Sequence, residues 1–220
     1  MLKPILKNNN LTISPMKKIV VLVFLLLTVT VCLAQGDDYG WRRKYNNFSF
    51  INTTMSQDGL PDYKSNYGVS YTVGRTFYLH APIAGFLRFG IDATWLDLNY
   101  TNYKFKHITD WNTTKYQYHQ GEISMHIGPS LSLQFGRLNI HGYYRYAPSY
   151  SILYANDSLY GNYSTFFVGG AAISYGAIGF GIESRTGGCN YESIASYGDG
   201  DALPVAASYK GLRTYITFRF

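Results

Sequence analysis

The chain has 220 residues, of which 46% are apolar but only 15% charged, with 22 Tyr and 22 Gly; a soluble protein carries about 25% charged residues. So many strand formers with so few charged helix formers exclude a disordered tail, a collagen and a coiled coil, and make a cytosolic α/β enzyme a poor fit. The formal net charge of +6 comes largely from the first segment.

Met16-Lys17-Lys18 precedes an apolar run from Ile19 to Leu33, which ends in Ala34-Gln35 and Asp37-Asp38. A basic start, an apolar stretch and a small residue at its end make a secretory signal peptide over residues 1–34, cut after Ala34. Residues 1–15 read as an upstream extension, so that either Met1 or Met16 is the start. The run is shorter than the ~20 residues of a spanning helix, and bulky Val31 argues against Cys32 as a lipoprotein site. Export removes Lys3, Lys7, Lys17 and Lys18 and no acid, which leaves 15 basic residues against 13 acidic ones. No Lys/Arg cluster beyond Arg42-Arg43-Lys44 remains, so nucleic acid is not expected as a partner. Cys189 becomes the lone thiol, which excludes an intrachain disulfide and a zinc site of several cysteines. The five histidines show no close paired spacing, and no metal or cofactor is expected.

After a lead over 35–44, residues 45–220 alternate apolar and polar at period two, the period of a strand. Strands are expected at 45–55, 66–78, 86–95, 122–136, 138–147, 163–175, 178–185 and 212–220. In the fourth, Ile123, Met125, Ile127, Leu131, Leu133 and Phe135 share one face, and Glu122, Ser124, His126, Gly128, Ser130, Ser132 and Gln134 the other. Long polar links at 56–65, 101–115, 149–162 and 187–208 take turns with tight ones at 79–84, 136–137 and 176–177. Gln117, His119 and Gly121 are polar where an apolar face should continue, which suggests a sheet extending beyond a membrane. Pro129 cannot donate to a ladder, so a bulge or local break is expected there.

This alternation of link lengths belongs to an exported up-and-down barrel, eight antiparallel strands closed on themselves because lipid satisfies no free backbone edge. The wet face carries Gly, Ser, Thr, Tyr and Arg with hardly a Lys, which suits a crowded polar lumen. A soluble lipocalin-like barrel would have an apolar inside and a charged outside, the reverse of this pattern. Trp95, Tyr100, Tyr144, Tyr146, Tyr209 and Tyr215 are candidates for interfacial girdles, some of them for the lumen. Arg75 falls on the lipid-facing parity and should lie at the periplasmic rim, where a charge costs little.

The chain ends Tyr215-Ile216-Thr217-Phe218-Arg219-Phe220. With Tyr215, Phe218 and Phe220, this ending resembles the C-terminal signal that outer-membrane β-barrel proteins present to their insertion machinery, and the mature chain resembles the small OmpA/OmpX-like eight-stranded barrels. Gln35 and Gly74-Arg75-Thr76-Phe77-Tyr78-Leu79-His80 look like barrel proteins of the Bacteroidetes group. The resemblance implies the outer membrane, its lipids and the insertion machinery as surroundings.

On the inferred lumen face stand Arg88, Arg145, Arg185, Arg213 and Arg219 against Asp92, Glu122 and Glu183, with His126 and His141 beside them. Mixed signs in a barrel too narrow for an open channel point to a structural plug. An enzyme that modifies lipid A or phospholipid, as a hydrolase or acyltransferase, would draw on Ser124, His126 and Glu122. Alternate residues of one strand lie about 7 Å apart and are expected not to make a nucleophile–base bond by themselves. A small passive pore is a further alternative. Surface interaction would use the long loops and their Trp111, Tyr116, Tyr118, Tyr150, Tyr154 and Tyr160, with an extracellular protein or glycan as the ligand. Asp157-Ser158-Leu159 resembles a Bacteroidetes O-glycan site, at Ser158. The reading from sequence is a non-catalytic outer-membrane barrel with a structural or surface-interaction role.

Overall fold

A computed structural model describes residues 41–59, 61–109, 112–155, 157–196 and 205–220. The expected signal peptide at 1–34 and Trp111 lie outside them. Eight strands form: β1 (Lys44–Gln57), β2 (Tyr63–Tyr78), β3 (Leu87–Thr109), β4 (Asn112–Phe135), β5 (Leu138–Ala155), β6 (Ser158–Tyr175), β7 (Ile178–Ser196) and β8 (Val205–Arg219). Each pairs antiparallel with the next, and β8 pairs back onto β1 in a closed barrel. The register can be walked once around, from Asn47 through Thr72, Asp97, Ser124, Ser149, Ser164, Cys189 and Ala207 to Gln57. The walk returns ten residues above its start, an offset that tilts eight strands by roughly 40°.

The start of β1, the end of β8, the β2–β3 link and the two-residue turns after Phe135 and Tyr175 share one end, here the proximal end. Gly136 and Gly176 carry those turns at φ of 58° and 62°, a region that favours glycine. At the distal end the expected long loops are mostly wall. β3 and β4 run to Thr109 and from Asn112, β5 runs to Ala155 and β6 from Ser158, and β7 continues to Ser196. Polar sequence there marks strands that leave the apolar zone. Beyond Tyr103 and Tyr118, β3 and β4 pair only with each other, from Lys104↔Gln117 to Thr109↔Asn112, as a ribbon standing clear of its neighbours.

The barrel changes sidedness along its length. Proximally, Phe50, Phe77, Phe89, Ile91, Leu98, Ile127, Ile140, Ile173, Phe180 and Leu212 are exposed on the outside, while Asn47, Thr72, Asp92, Arg145, Glu183 and Arg213 are buried inside. Distally the same strands carry Asn52, Lys64, Lys104, Asn190, Glu192 and Lys210 outside. Inside stands an apolar cluster that includes Met55, Tyr103, Leu153, Phe166, Val168, Tyr191 and Tyr209. At the crossover the polarity of the faces is exchanged while the strands continue, with register shifts at Ser65–Tyr67 in β2 and between Thr94 and Asp97 in β3.

Pro129 causes a local break and no bulge: the ladder to β5 lapses at Gly128 and Pro129 and resumes in the same register, while Pro129 pairs with Ile91 on β3. The proline side chain is exposed on the outer face. The bulge lies in β3, where both flanking ladders shift between Thr94 and Asp97. The extra residue turns Asp97 inward, although the alternation of Phe89, Ile91, Ala93 and Trp95 would have sent it outward.

Candidate functional site

The proximal interior is filled by one network centred on Glu183. Its Oε2 accepts from Arg145 Nη2 at 2.8 Å, and its Oε1 from Arg213 Nη1 at 2.9 Å, so one β7 carboxylate bridges guanidiniums from β5 and β8. Tyr143 donates a third bond to Oε2 at 2.7 Å. Arg145 Nη1 reaches Asp92 Oδ1 at 3.3 Å and Thr94 at 2.8 Å. Arg213 reaches Asp97 Oδ2 at 2.9 Å and Asn99 at 2.6 Å. Asp92 also accepts from Tyr45 at 2.5 Å and Thr76 at 3.1 Å, and lies 2.9 Å from His141 Nε2. These carboxylates and arginines are at most 4% exposed, and buried charges persist when each is paired and hydrogen-bonded.

Arg185 pairs with Glu122 and lies over the Phe166 ring at 3.4 Å, where the polar network meets the distal apolar cluster. Arg219 donates to Asn139 and Thr76, and Arg88 stacks over Trp41 and Tyr78 at the proximal mouth; neither is bound into the carboxylate set. The void beside Tyr45, Asp92, His141 and Arg145 has room for about one water. Large inward side chains fit because glycines face them. A Cβ on Gly74 would meet the Tyr45 ring, and one on Gly181 the Tyr215 ring.

Asp97, Tyr45 and Asn99 are members of this network that period-two reading missed. The bulge hid Asp97, yet an acid on a lipid-facing parity is itself a signal that the register changes before it. Tyr209 and Tyr215 are buried inside and form no girdle, whereas Trp95, Tyr144 and Tyr146 are exposed outside. Within the C-terminal motif, Tyr215 therefore faces away from Phe218 and Phe220. Arg75 lies outside, three residues within the end of β2, with its guanidinium 5.1 Å from the Phe77 ring.

Ser124 and His126 do meet, against the expectation for alternate residues: Oγ and Nε2 are 2.9 Å apart because both side chains lean along the strand toward Asp97. The arrangement is no charge relay. Asp97 contacts the same Nε2 at 3.1 Å, while Nδ1 has no partner, and Glu122 is engaged by Arg185 and Asn99. All three of Ser124, His126 and Asp97 are buried, so no substrate reaches the hydroxyl. Among the described residues no three His, Cys, Asp or Glu side chains form a metal set.

The distal candidates separate by face. Tyr118 and Tyr160 pack against the interior cluster, whereas Tyr150 and Tyr154 are exposed on the outer wall, and Tyr116 belongs to the ribbon. Ser158 is 9% exposed at the first position of β6, which leaves a glycan little access. Outside, Tyr67, Tyr100, His119 and Tyr154 form a continuous ring row across β2 to β5, with centroids 6.0–6.4 Å apart. Tyr100 and His119 Nδ1 are also 2.7 Å apart.

No protein-family model matches the chain, and no curated protein does. Solved structures match at low similarity. Neisserial surface protein A shares 14% identity at a TM-score of 0.43, over 80% of this chain and 97% of that one. Ail, the attachment invasion locus protein of Yersinia pestis, shares 9% at 0.37, over 81% and 99%. The outer membrane protease OmpT of Escherichia coli shares 8% at 0.45, over 85% and 100%. At such values none of them says what this chain does.

Proposed function

We propose that the chain, after removal of residues 1–34, is an integral barrel of a bacterial outer membrane, with a plugged lumen and a distal wall that makes surface contacts without catalysis. The exchange of sidedness carries this reading. An apolar exterior around a polar packed interior suits lipid, and a polar exterior around an apolar interior suits water. The outer ring row at Tyr100 and His119 lies near the crossover, where aromatic girdles sit. Gln35 and residues 74–80 are what speak for a Bacteroidetes-type barrel.

The distal ribbon supports the surface role, since among the described residues neither of its outer edges has a neighbouring strand, and each can take an added one from a partner protein. The test has two stages. In fractionated envelopes the protein should run as an outer-membrane band whose mobility on SDS gels changes on boiling; a soluble periplasmic product would overturn the architecture. Joining Lys104 to Gln117 through Asn-Gly should then keep that band and abolish adhesion to host protein or glycan surfaces, and unchanged adhesion would remove the ribbon from the account.

A further inference from the structure

Lys44 and Arg75 stand directly opposite each other on β1 and β2, both on the outer face. Like charges in that position repel. The Arg43 carbonyl accepts from Thr76 N, which holds the chain in register with β2 just before Lys44. The outward neighbours are Asn46, Val73, Phe77, Ala93 and Phe220, none with an acidic side chain, and the Phe220 oxygen is taken up by Lys44 N. Arg75 Nε is buried without a hydrogen-bond partner. Its guanidinium lies over Phe77, which sits farther toward the proximal end, so the side chain reaches from the apolar wall toward the rim. A lone anion between Lys44 and Arg75 would turn the repulsion into attraction and give Nε an acceptor.

We propose that Lys44 and Arg75 form a binding site for the headgroup phosphate of an anionic phospholipid in the leaflet at the proximal end. The proposal rests on the membrane reading above, because only there does the lipid-facing wall meet headgroups. Two cations on one phosphate favour phosphatidylglycerol over zwitterionic lipid, which brings its own ammonium.

Trp95 reports on the site: its ring is 6.1 Å from that of Phe77, and it is exposed on the outer wall. With Trp41→Phe and Trp111→Phe, Trp95 is the single tryptophan of the chain. In phosphatidylcholine vesicles, brominated phosphatidylglycerol should quench it with a relative affinity about five-fold above brominated phosphatidylcholine. Arg75→Gln should bring the ratio close to one and Lys44→Gln should lower it, while each variant keeps its heat-dependent mobility. Millimolar inorganic phosphate should leave the preference unchanged; its loss there would assign the site to free phosphate and overturn a lipid ligand. Equal quenching by both lipids in the parent protein also overturns the proposal. Absence of quenching by either lipid would instead overturn the membrane reading, and this proposal with it.

Discussion

Glu183 holds two arginines apart and in place, so its loss strands both. Glu183→Ala should cost about 3–5 kcal/mol, the scale of breaking a buried pair from one side, read as a fall in the urea midpoint of the barrel in vesicles. Arg213→Ala should cost as much, since Asp97 and Glu183 then lose their shared donor, and the double variant should cost less than the two together. Unchanged midpoints in both single variants would remove the plug from the account. Cys189 is buried and its sulfur faces the Asn162 and Tyr163 carbonyls at 3.8 Å. A maleimide should therefore modify it only after boiling. Arg145, Glu183 and Arg213 can be sorted to one side from sequence because period two is blind to distance and needs only parity. Their partners cannot be. Which acid meets which arginine depends on strand offset and tilt, and Asp97 is hidden by one extra residue on its N-terminal side, at a bulge that no proline or glycine announces.

The bulge in β3 gives the element scale a sharp test. Deleting Trp95 leaves Thr94, Leu96 and Asp97 alternating in, out, in, so every distal side chain keeps its face and the barrel should retain its heat-dependent band. Deleting Leu98 allows regular alternation only by turning Asp97 outward and stranding buried Arg213, at about 3–5 kcal/mol, and that band should be lost. Equal behaviour of the two deletions would mean that the register is not set here. Strand number, order and the tight proximal turns are readable from the sequence, because turn chemistry and alternation are local. Strand length is not. Residues 101–115 and 149–162 read as loops since their faces turn polar, yet 101–109 pair with 112–120 and 149–155 with 158–164, because a strand passing from an apolar to a polar surrounding changes the kind of residue on each face and not its geometry.

For the whole molecule, two fillings in series close the lumen: the ion network below and the Tyr103–Phe166–Tyr191 cluster above. Planar bilayers with the folded protein should show no conductance steps, and Arg145→Ala should show none either, because the distal cluster still blocks the path; steps in the single variant would mean that the cluster is not tight. The seam between β1 and β8 joins residues as far apart in the chain as Tyr45 and Arg219. The network is likewise built from distant pieces, with Arg213 and Asp97 separated by 116 positions and Arg145 and Tyr45 by 100. A sheet with the seam still open has its charges assembled only in part, and it offers lipid a ragged edge of unpaired amides. Partial products are therefore penalised twice, once for backbone and once for charge, and the long separations make closure slow. Assembly of this chain should behave as a single late event: bulk water or a chaperoning surface must shelter the open sheet until the last strand arrives, and after that the latch of ions makes release correspondingly rare.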